Sequence, residues 1–354
     1  MPLHKKTELP RLLVIQRVSL SHSTLKSRSI GARFGPLLTY MHRHKILRSD
    51  EVLESELRLS DLKEYDAVLF NKHTSQRGIE IIRAAKDLGI TTIYDLDDWI
   101  LDLPEYSVTD LGSDTLGNIV TMLHEADLIT VSNPKLAYKL KHLRNDTVYL
   151  PNGFDHGALG HELNCETESR SPKVLFSNTD GIKLISHRQT FFADLRYFLE
   201  KHPDVIFDFR GDYFPELSQI PRVVKHAFLD NFVYKKAVRD AGYWFAIVPL
   251  GGQEDAATYE FNCCKSPIKY IDYGSLGVAG IYSNTPVYAD VVAQGVTGLL
   301  AQNSGHNWFD SMNELLLNKT LRYEIKQAAY TDCLERFGLS SVSKILITLV
   351  CKDK

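Results

Sequence analysis

Cysteine is scarce in this chain, with five among 354 residues at Cys165, Cys263, Cys264, Cys333 and Cys351. None stand as a Cys-x-x-Cys pair and no histidine pair completes a zinc spacing, so zinc fingers and ribbons are excluded. An odd count with one adjacent pair is a poor disulfide framework and points to a reducing, cytosolic setting. Long apolar runs are also lacking. No stretch approaches the ~20 apolar residues of a membrane span. The opening MPLHKKTELPRLLVIQRVSL has a basic start, but it is expected to fall short of a signal peptide in apolar length and cleavage site. Basic excess is missing too: 41 Lys and Arg face 44 Asp and Glu, for a formal charge of −3. That balance argues against nucleic acid as a partner. With 44% hydrophobic and 24% charged residues, the chain is neither disordered nor low in complexity. The length suits two domains, each able to bury its own core.

Short apolar runs alternate with runs of helical period. Leu12–Ile15, Ala67–Phe70, Thr91–Tyr94, Leu128–Val131 and Val148–Leu150 read as strands. Between them, Ile79, Ile82, Ala85 and Leu88 recur at helical spacing up to Gly89, and Asn133-Pro134 opens another helix as N-cap and first residue. A polar stretch without period, residues 156–172, reads as a linker. The alternation then restarts with strands at Lys173–Ser177, Val205–Phe209, Trp244–Pro249, Val278–Tyr282 and Gly298–Ala301. Helices are expected at 188–202, 267–276, 288–293, 307–317 and 321–336, and Ser340–Val350 is apolar enough to dock elsewhere. Such alternation implies α/β architecture with parallel sheets, two doubly wound Rossmann-like domains facing across a cleft. The expected division is 1–155, a linker at 156–172, 173–337, and a terminal helix at 338–354 packing back on the first domain.

The most informative stretch is Asn262 to Leu300, NCCKSPIKYIDYGSLGVAGIYSNTPVYADVVAQGVTGLL. Pro267 starts a helix with Lys265 and Lys269 flanking its first turn. Free N–H groups and partial positive charge at a helix start receive phosphate well, and two lysines add to this. Asp272, three residues on, suits ribose hydroxyls rather than phosphate. The same spacing also fits an amphipathic helix with a Lys–Asp pair on its wet face.

The order Lys265-Ser266-Pro267-Ile268-Lys269-Tyr270-Ile271-Asp272 up to Gly277 resembles the sugar-nucleotide signature of glycosyltransferase family 4 and its GT-B relatives. So do Pro286, Asp290, Gly295-Val-Thr-Gly298-Leu-Leu, Trp308 and Leu321-Arg322. More weakly, Asp66–Asp98, Ala126–Asn133 and Leu150–Gly153 resemble the acceptor-side domain of bacterial polysaccharide glycosyltransferases. The resemblance implies sugar transfer from a nucleotide-sugar donor to a glycan or glycolipid hydroxyl in polysaccharide biosynthesis, with retention and without a metal or other cofactor. It places the donor on the second domain and the acceptor on the first. Lys269 and Lys265 would then stabilise the leaving diphosphate. Asp272, Asn262 and Ser266 would line the donor site, with Lys183, Arg188 and Arg210 as further candidates for the diphosphate. The family often carries two glutamates eight residues apart. Asp272 takes the second position here, but Cys264 takes the first, so part of the usual contact to the donor sugar would fall to Lys265 or Asn262.

Asp95, Asp97 and Asp98 cluster at a strand end. They are read as acceptor-binding carboxylates, with a solvated turn or a divalent-metal site as alternatives. His73 lies just past a strand and is read as a catalytic candidate. Arg28, in the polar stretch Leu20–Gly31, is read as an acceptor contact in a loop. The run Met41–Arg48 is basic and partly apolar, which leaves peripheral contact with the inner membrane open for a cytoplasmic protein. Two rival readings stand: a sugar-nucleotide epimerase of the same fold using His73, His124 and Asp97, and an inactive nucleotide-sugar-binding scaffold.

Overall fold

The computed structural model describes residues 8–19, 22–26, 28–103, 113–159, 168–178, 190–211, 215–227, 229–251 and 256–351. They form two compact units. One takes the described residues up to Asp155 together with Leu339 onward, and the other takes His156–Gly338.

The first unit contains β1 (Arg11–Gln16), β2 (Val18–Ser19), β3 (His22–Lys26), α1 (Arg28–Arg43), β4 (Arg48–Leu53), β5 (Ala67–Asn71), α2 (Gln76–Asp87), β6 (Thr91–Leu96), α3 (Ser113–Glu125), β7 (Leu128–Val131), α4 (Pro134–Leu140) and β8 (Thr147–Tyr149). Its parallel sheet runs β4-β1-β5-β6-β7-β8, and β2 pairs with β3 in a separate antiparallel ribbon. Apolar runs such as LLVI and AVLF are buried over their whole length, as strands covered on both faces must be. Helix starts follow local chemistry. The Ser75 hydroxyl accepts from Gly78 N at α2, and Asn133 accepts from Lys135 N ahead of Pro134 at α4.

The stretch Leu20–Gly31 is therefore not one loop: it holds β3, and Arg28 opens α1. In Met41–Arg48, Met41 and Leu47 are buried in the core, leaving His42, Arg43, His44, Lys45 and Arg48 exposed, with Arg43 paired to Asp155 at 2.7 Å. Among the described residues no helix is long and apolar enough to cross a membrane.

The second unit contains β9 (Lys173–Asn178), α5 (Phe191–Lys201), β10 (Ile206–Gly211), β11 (Val223–His226), α6 (Asn231–Asp240), β12 (Phe245–Val248), α7 (Ala256–Cys263), α8 (Ile268–Ser275), β13 (Ala279–Ser283), α9 (Pro286–Ala289), β14 (Leu299–Ala301), α10 (Asn307–Leu317) and α11 (Lys319–Phe337). Its parallel sheet runs β11-β10-β9-β12-β13-β14. Phe176 of β9 anchors the core, edge-on to Phe191 of α5 at 5.6 Å, and Trp308 of α10 closes on Phe191 at 5.0 Å. Gly211 (φ +141°) ends β10 so close to β9 that a Cβ there would lie 1.8 Å from the Asn178 carbonyl oxygen. Only glycine fits this junction.

The last helix, α12 (Leu339–Val350), belongs to the first unit. It places Leu339, Val342, Leu346 and Leu349 in the same core as Phe34, Leu37 and Met41 of α1. The described parts of the segment read as a linker are docked rather than free. Ser169 N donates to the Gly242 carbonyl, Trp244 Nε1 donates to the Ser169 carbonyl, and Glu168 receives Arg322 at 2.9 Å and Lys326 at 2.7 Å. Arg322 is 1% exposed and lies 4.1 Å from the centre of the Trp244 ring. Trp308 and Arg322, both part of the sequence resemblance, thus hold the unit together rather than face a ligand.

Candidate active site

The strand order of the second unit reverses between β9 and β12. In doubly wound sheets that reversal opens a crevice at the carboxyl ends of the two strands. A cavity of about 160 Å³ lies there. Phe176, Ser177 and Asn178 from the end of β9, and Val248, Pro249 and Leu250 from the end of β12, form part of its wall. Lys265, Ser266, Ile268 and Lys269 from the start of α8 form another part, with Tyr288 beyond.

The two lysines and Ser266 converge here because Pro267 ends the turn after α7 and lets α8 begin at Ile268. No side chain caps this helix start, so its first N–H groups have no capping side-chain acceptor, and the residues around it line the cavity. The Lys269 ammonium donates to Ser177 Oγ at 3.2 Å and lies 5.2 Å and 5.6 Å from the ring centres of Tyr234 and Tyr273. The Lys265 ammonium lies 4.4 Å from the Phe261 ring centre. The arrangement concentrates positive charge on one wall of a half-apolar cavity, the surface an anionic diphosphate requires.

Behind this wall, Asn262 is 2% exposed. Its amide nitrogen donates to the Gly251 carbonyl at 2.7 Å, while its Oδ1 is buried without a hydrogen-bond partner among the described residues. Asp272 does not line the cavity. Its carboxylate is held by Lys235 of α6 at 3.0 Å, and both side chains are nearly buried. Arg210 also turns elsewhere. Its Nε donates to the Tyr243 hydroxyl at 3.1 Å, which in turn donates to Asp208 at 2.8 Å, with His226 Nε2 3.0 Å from the same carboxylate. Lys183 and Arg188 lie outside the described residues.

The first unit carries a second cluster of charge, where its strand order reverses between β1 and β5. Asp95 sits at its centre, 0% exposed. One carboxylate oxygen accepts from Arg33 Nη2 at 2.6 Å and Thr130 at 2.6 Å, and the other from Arg33 Nε at 2.6 Å and Asn71 at 2.8 Å. Four donors fill its lone pairs. The acceptor-binding expectation for Asp95 thus gives way to an internal role in holding three strand ends in register. Asp97 and Asp98 both engage the Lys72 ammonium, at 2.9 Å and 2.8 Å, and keep side-chain exposures of 16% and 29%. Burial alone would lower the Lys72 pKa, but the two carboxylates outweigh it and raise it. Arg28 opens α1, and its side chain lies outside the described residues. Among the described residues, no group of three or more His, Cys, Asp or Glu side chains is arranged to hold a metal ion.

His73 is sealed, 0% exposed, with its ring edge-on to Phe70 at 5.2 Å. Burial first, and then the Arg17 guanidinium, push its pKa down to about 3. Such an imidazole is neutral and out of reach of a substrate, so the catalytic expectation for His73 does not fit its surroundings. A stability effect follows. The folded pKa lies below the unfolded value of about 6.5, so the unfolded chain takes up this proton first as pH falls. Stability contributed by neutral His73 is full above pH ~6.5 and drains between there and about 3, by up to ~1.4 kcal/mol per pH unit. His73→Phe is expected to flatten the loss of unfolding free energy between pH 6.5 and 4.5, measured by urea denaturation. An unchanged slope would contradict a buried neutral imidazole.

Sequence reasoning did not single out Tyr234 and Lys235, Arg33 or Lys72. The first two sit in YKKAVRD, an ordinary-looking polar helix segment. Only the packing of α6 on α8 shows what they touch.

No protein-family model and no curated protein matches the sequence itself. Among solved structures, the chain is similar to HepE of Anabaena in complex with UDP and glucose, at TM-score 0.66 and 13% identity over 97% of this chain and 100% of that one. It is similar to sucrose-phosphate synthase from Thermosynechococcus elongatus at TM-score 0.66 and 13% identity, over 97% of this chain and 98% of that one. It is also similar to the "putative UDP-N-acetylglucosamine 2-epimerase" from Listeria monocytogenes, at TM-score 0.57 and 12% identity over 97% of this chain and 96% of that one. Likeness at such identities speaks to architecture, and activity has to be argued from the site. The chain is an α/β protein of the GT-B fold, built from two doubly wound Rossmann-like units.

Proposed function

We propose that the chain is a nucleotide-sugar-dependent glycosyltransferase that moves a sugar onto the hydroxyl of a glycan or glycolipid, with retention and without a metal. One observation carries the reading. Lys265, Ser266, Lys269 and the uncapped start of α8 line one cavity at the point where the strand order of the second unit reverses. Sugar transfer passes through an oxocarbenium-like transition state while negative charge grows on the departing diphosphate. Two ammonium groups and a helix start, fixed before the reaction, stabilise that charge without reorganising. They offer the compensation that a cation would otherwise supply. Asn262 is buried and outside the cavity lining, so its amide supports this wall through the Gly251 carbonyl and the donor-hydroxyl role expected for it does not fit its surroundings. HepE, of like fold, is seen with UDP-glucose. Asp97 and Asp98, unlike Asp95, keep enough exposure to accept from an acceptor hydroxyl. Cys263, Cys264 and Cys333 are buried thiols outside any disulfide, which suits a cytoplasmic setting.

The fold shared with an epimerase motivates a second reading. It needs an acid–base pair, yet His73 is sealed and neutral, and His124 is exposed on the last turn of α3. The test is incubation with UDP-, GDP-, dTDP- and ADP-sugars, with and without a mixed glycan acceptor. Release of nucleoside diphosphate that rises with acceptor is expected. Formation of an epimer without acceptor would favour the second reading, and binding without either product would favour a scaffold.

A further inference from the structure

Asp272 and Lys269 stand three residues apart on α8, so their side chains leave the helix as neighbours. An unopposed carboxylate at that spacing would draw the Lys269 ammonium to itself and away from the cavity. It does not do so here. Lys235 of α6 holds the Asp272 carboxylate at 3.0 Å, with side-chain exposures of 12% and 10%. The residue before it, Tyr234, places its hydroxyl 3.2 Å from that of Tyr273, the residue after Asp272. The rings of these two tyrosines flank the Lys269 ammonium, which reaches Ser177 at the end of β9. Two adjacent residues of α6 therefore act on two adjacent residues of α8. One pair keeps the carboxylate away from Lys269, and the other aims Lys269 at the cavity. The ion pair is little exposed, so salt screens it weakly and its loss leaves a nearly buried charge in need of a partner.

We propose that Tyr234-Lys235 is a positioning element of the donor site: Lys235 occupies Asp272 so that Lys269 stays free for the leaving diphosphate, and Tyr234 with Tyr273 cradles the Lys269 ammonium. This rests on the nucleotide-sugar reading above. Neither residue touches the reacting atoms. The consequence is a rescue that a merely structural lysine could not show.

The test measures kcat and donor KM on whichever of UDP-, GDP-, dTDP- and ADP-glucose the wild-type protein turns over. Lys235→Met is expected to lower kcat about tenfold or more. Adding Asp272→Asn, which removes the competing charge, is expected to restore most of that kcat, a coupling of opposite sign to the separate effects. Lys235→Arg should keep near-wild-type turnover, because it can still occupy Asp272. Thermal melts of each variant establish that it is folded, and a poorly folded Lys235→Met is replaced by Lys235→Gln in the same cycle. Losses that add in the double variant, or a Lys235→Met kcat equal to wild type, would overturn the inference while leaving the glycosyltransferase reading standing. A wild-type protein that releases nucleoside diphosphate from none of the four donors overturns both.

Discussion

Lys269→Ala is expected to reduce turnover by about 10²–10³-fold, the range seen when one preorganised group for developing charge is removed. The argument is geometric. Among the described residues, the Lys269 ammonium donates to Ser177 Oγ and is flanked by Tyr234 and Tyr273, and no carboxylate pairs with it. Its charge is thus available to an anion at the carboxyl ends of β9 and β12, where the charge of the diphosphate grows as the glycosidic bond breaks. An interaction that strengthens in the transition state shows in kcat more than in KM. Stability should move little, by about 1 kcal/mol or less, because the side chain is half-buried and no buried group loses its only partner. Circular dichroism and a thermal melt separate the two effects. A folded Lys269→Ala protein with near-wild-type kcat would remove Lys269 from the mechanism.

The largest stability effect is expected at Arg33. Its guanidinium grips Asp95 through two hydrogen bonds of 2.6 Å, and also donates to Asn152 at 3.1 Å and the Leu150 carbonyl at 2.8 Å. Side-chain exposures are 3% for Arg33 and 0% for Asp95. Arg33→Met leaves the Asp95 carboxylate buried with only Asn71 and Thr130, and should cost about 3–5 kcal/mol. The damage should centre on the first unit, since the network ties α1 to β6 and to the end of β8. Arg33→Met combined with Asp95→Leu is expected to regain much of the loss, because it is the unpaired charge that is costly, more than the absence of the pair. Urea denaturation followed by tryptophan fluorescence gives the midpoints. A single-variant loss below about 1 kcal/mol would contradict the buried ion pair as described.

How much of this was legible in the sequence depends on how much of each element is buried. β1, β5, β6, β7, β12 and β13 are buried along all or nearly all of their length, as is the middle of β9, and the apolar runs within them stand out. The strands that escaped are outer ones. β4, RSDEVL, and β11, VVKH, are half exposed, so polar side chains break the apolar run. The helix start at Lys265–Lys269 was legible because proline, lysine and spacing mark it locally. Asp95 was misread for a related reason: three acids at a strand end look alike in sequence. Only the distant partners Arg33, Asn71 and Thr130 show that one of the three is turned inward. Asp272 reads in sequence as a ribose ligand, because Lys235, which holds it from 37 positions earlier on another helix, cannot be paired with it from spacing.

The central claim is that the cavity between the ends of β9 and β12 holds a nucleoside diphosphate against Lys265 and Lys269. Isothermal titration calorimetry of the wild-type protein and Lys269→Ala with UDP, GDP, dTDP and ADP tests it most directly. The account predicts saturable binding of at least one of the four to the wild type, weakened about tenfold or more in Lys269→Ala, as loss of a charge-assisted contact would give. Binding equally tight in both proteins, or no binding of any of the four to the wild type, would contradict it.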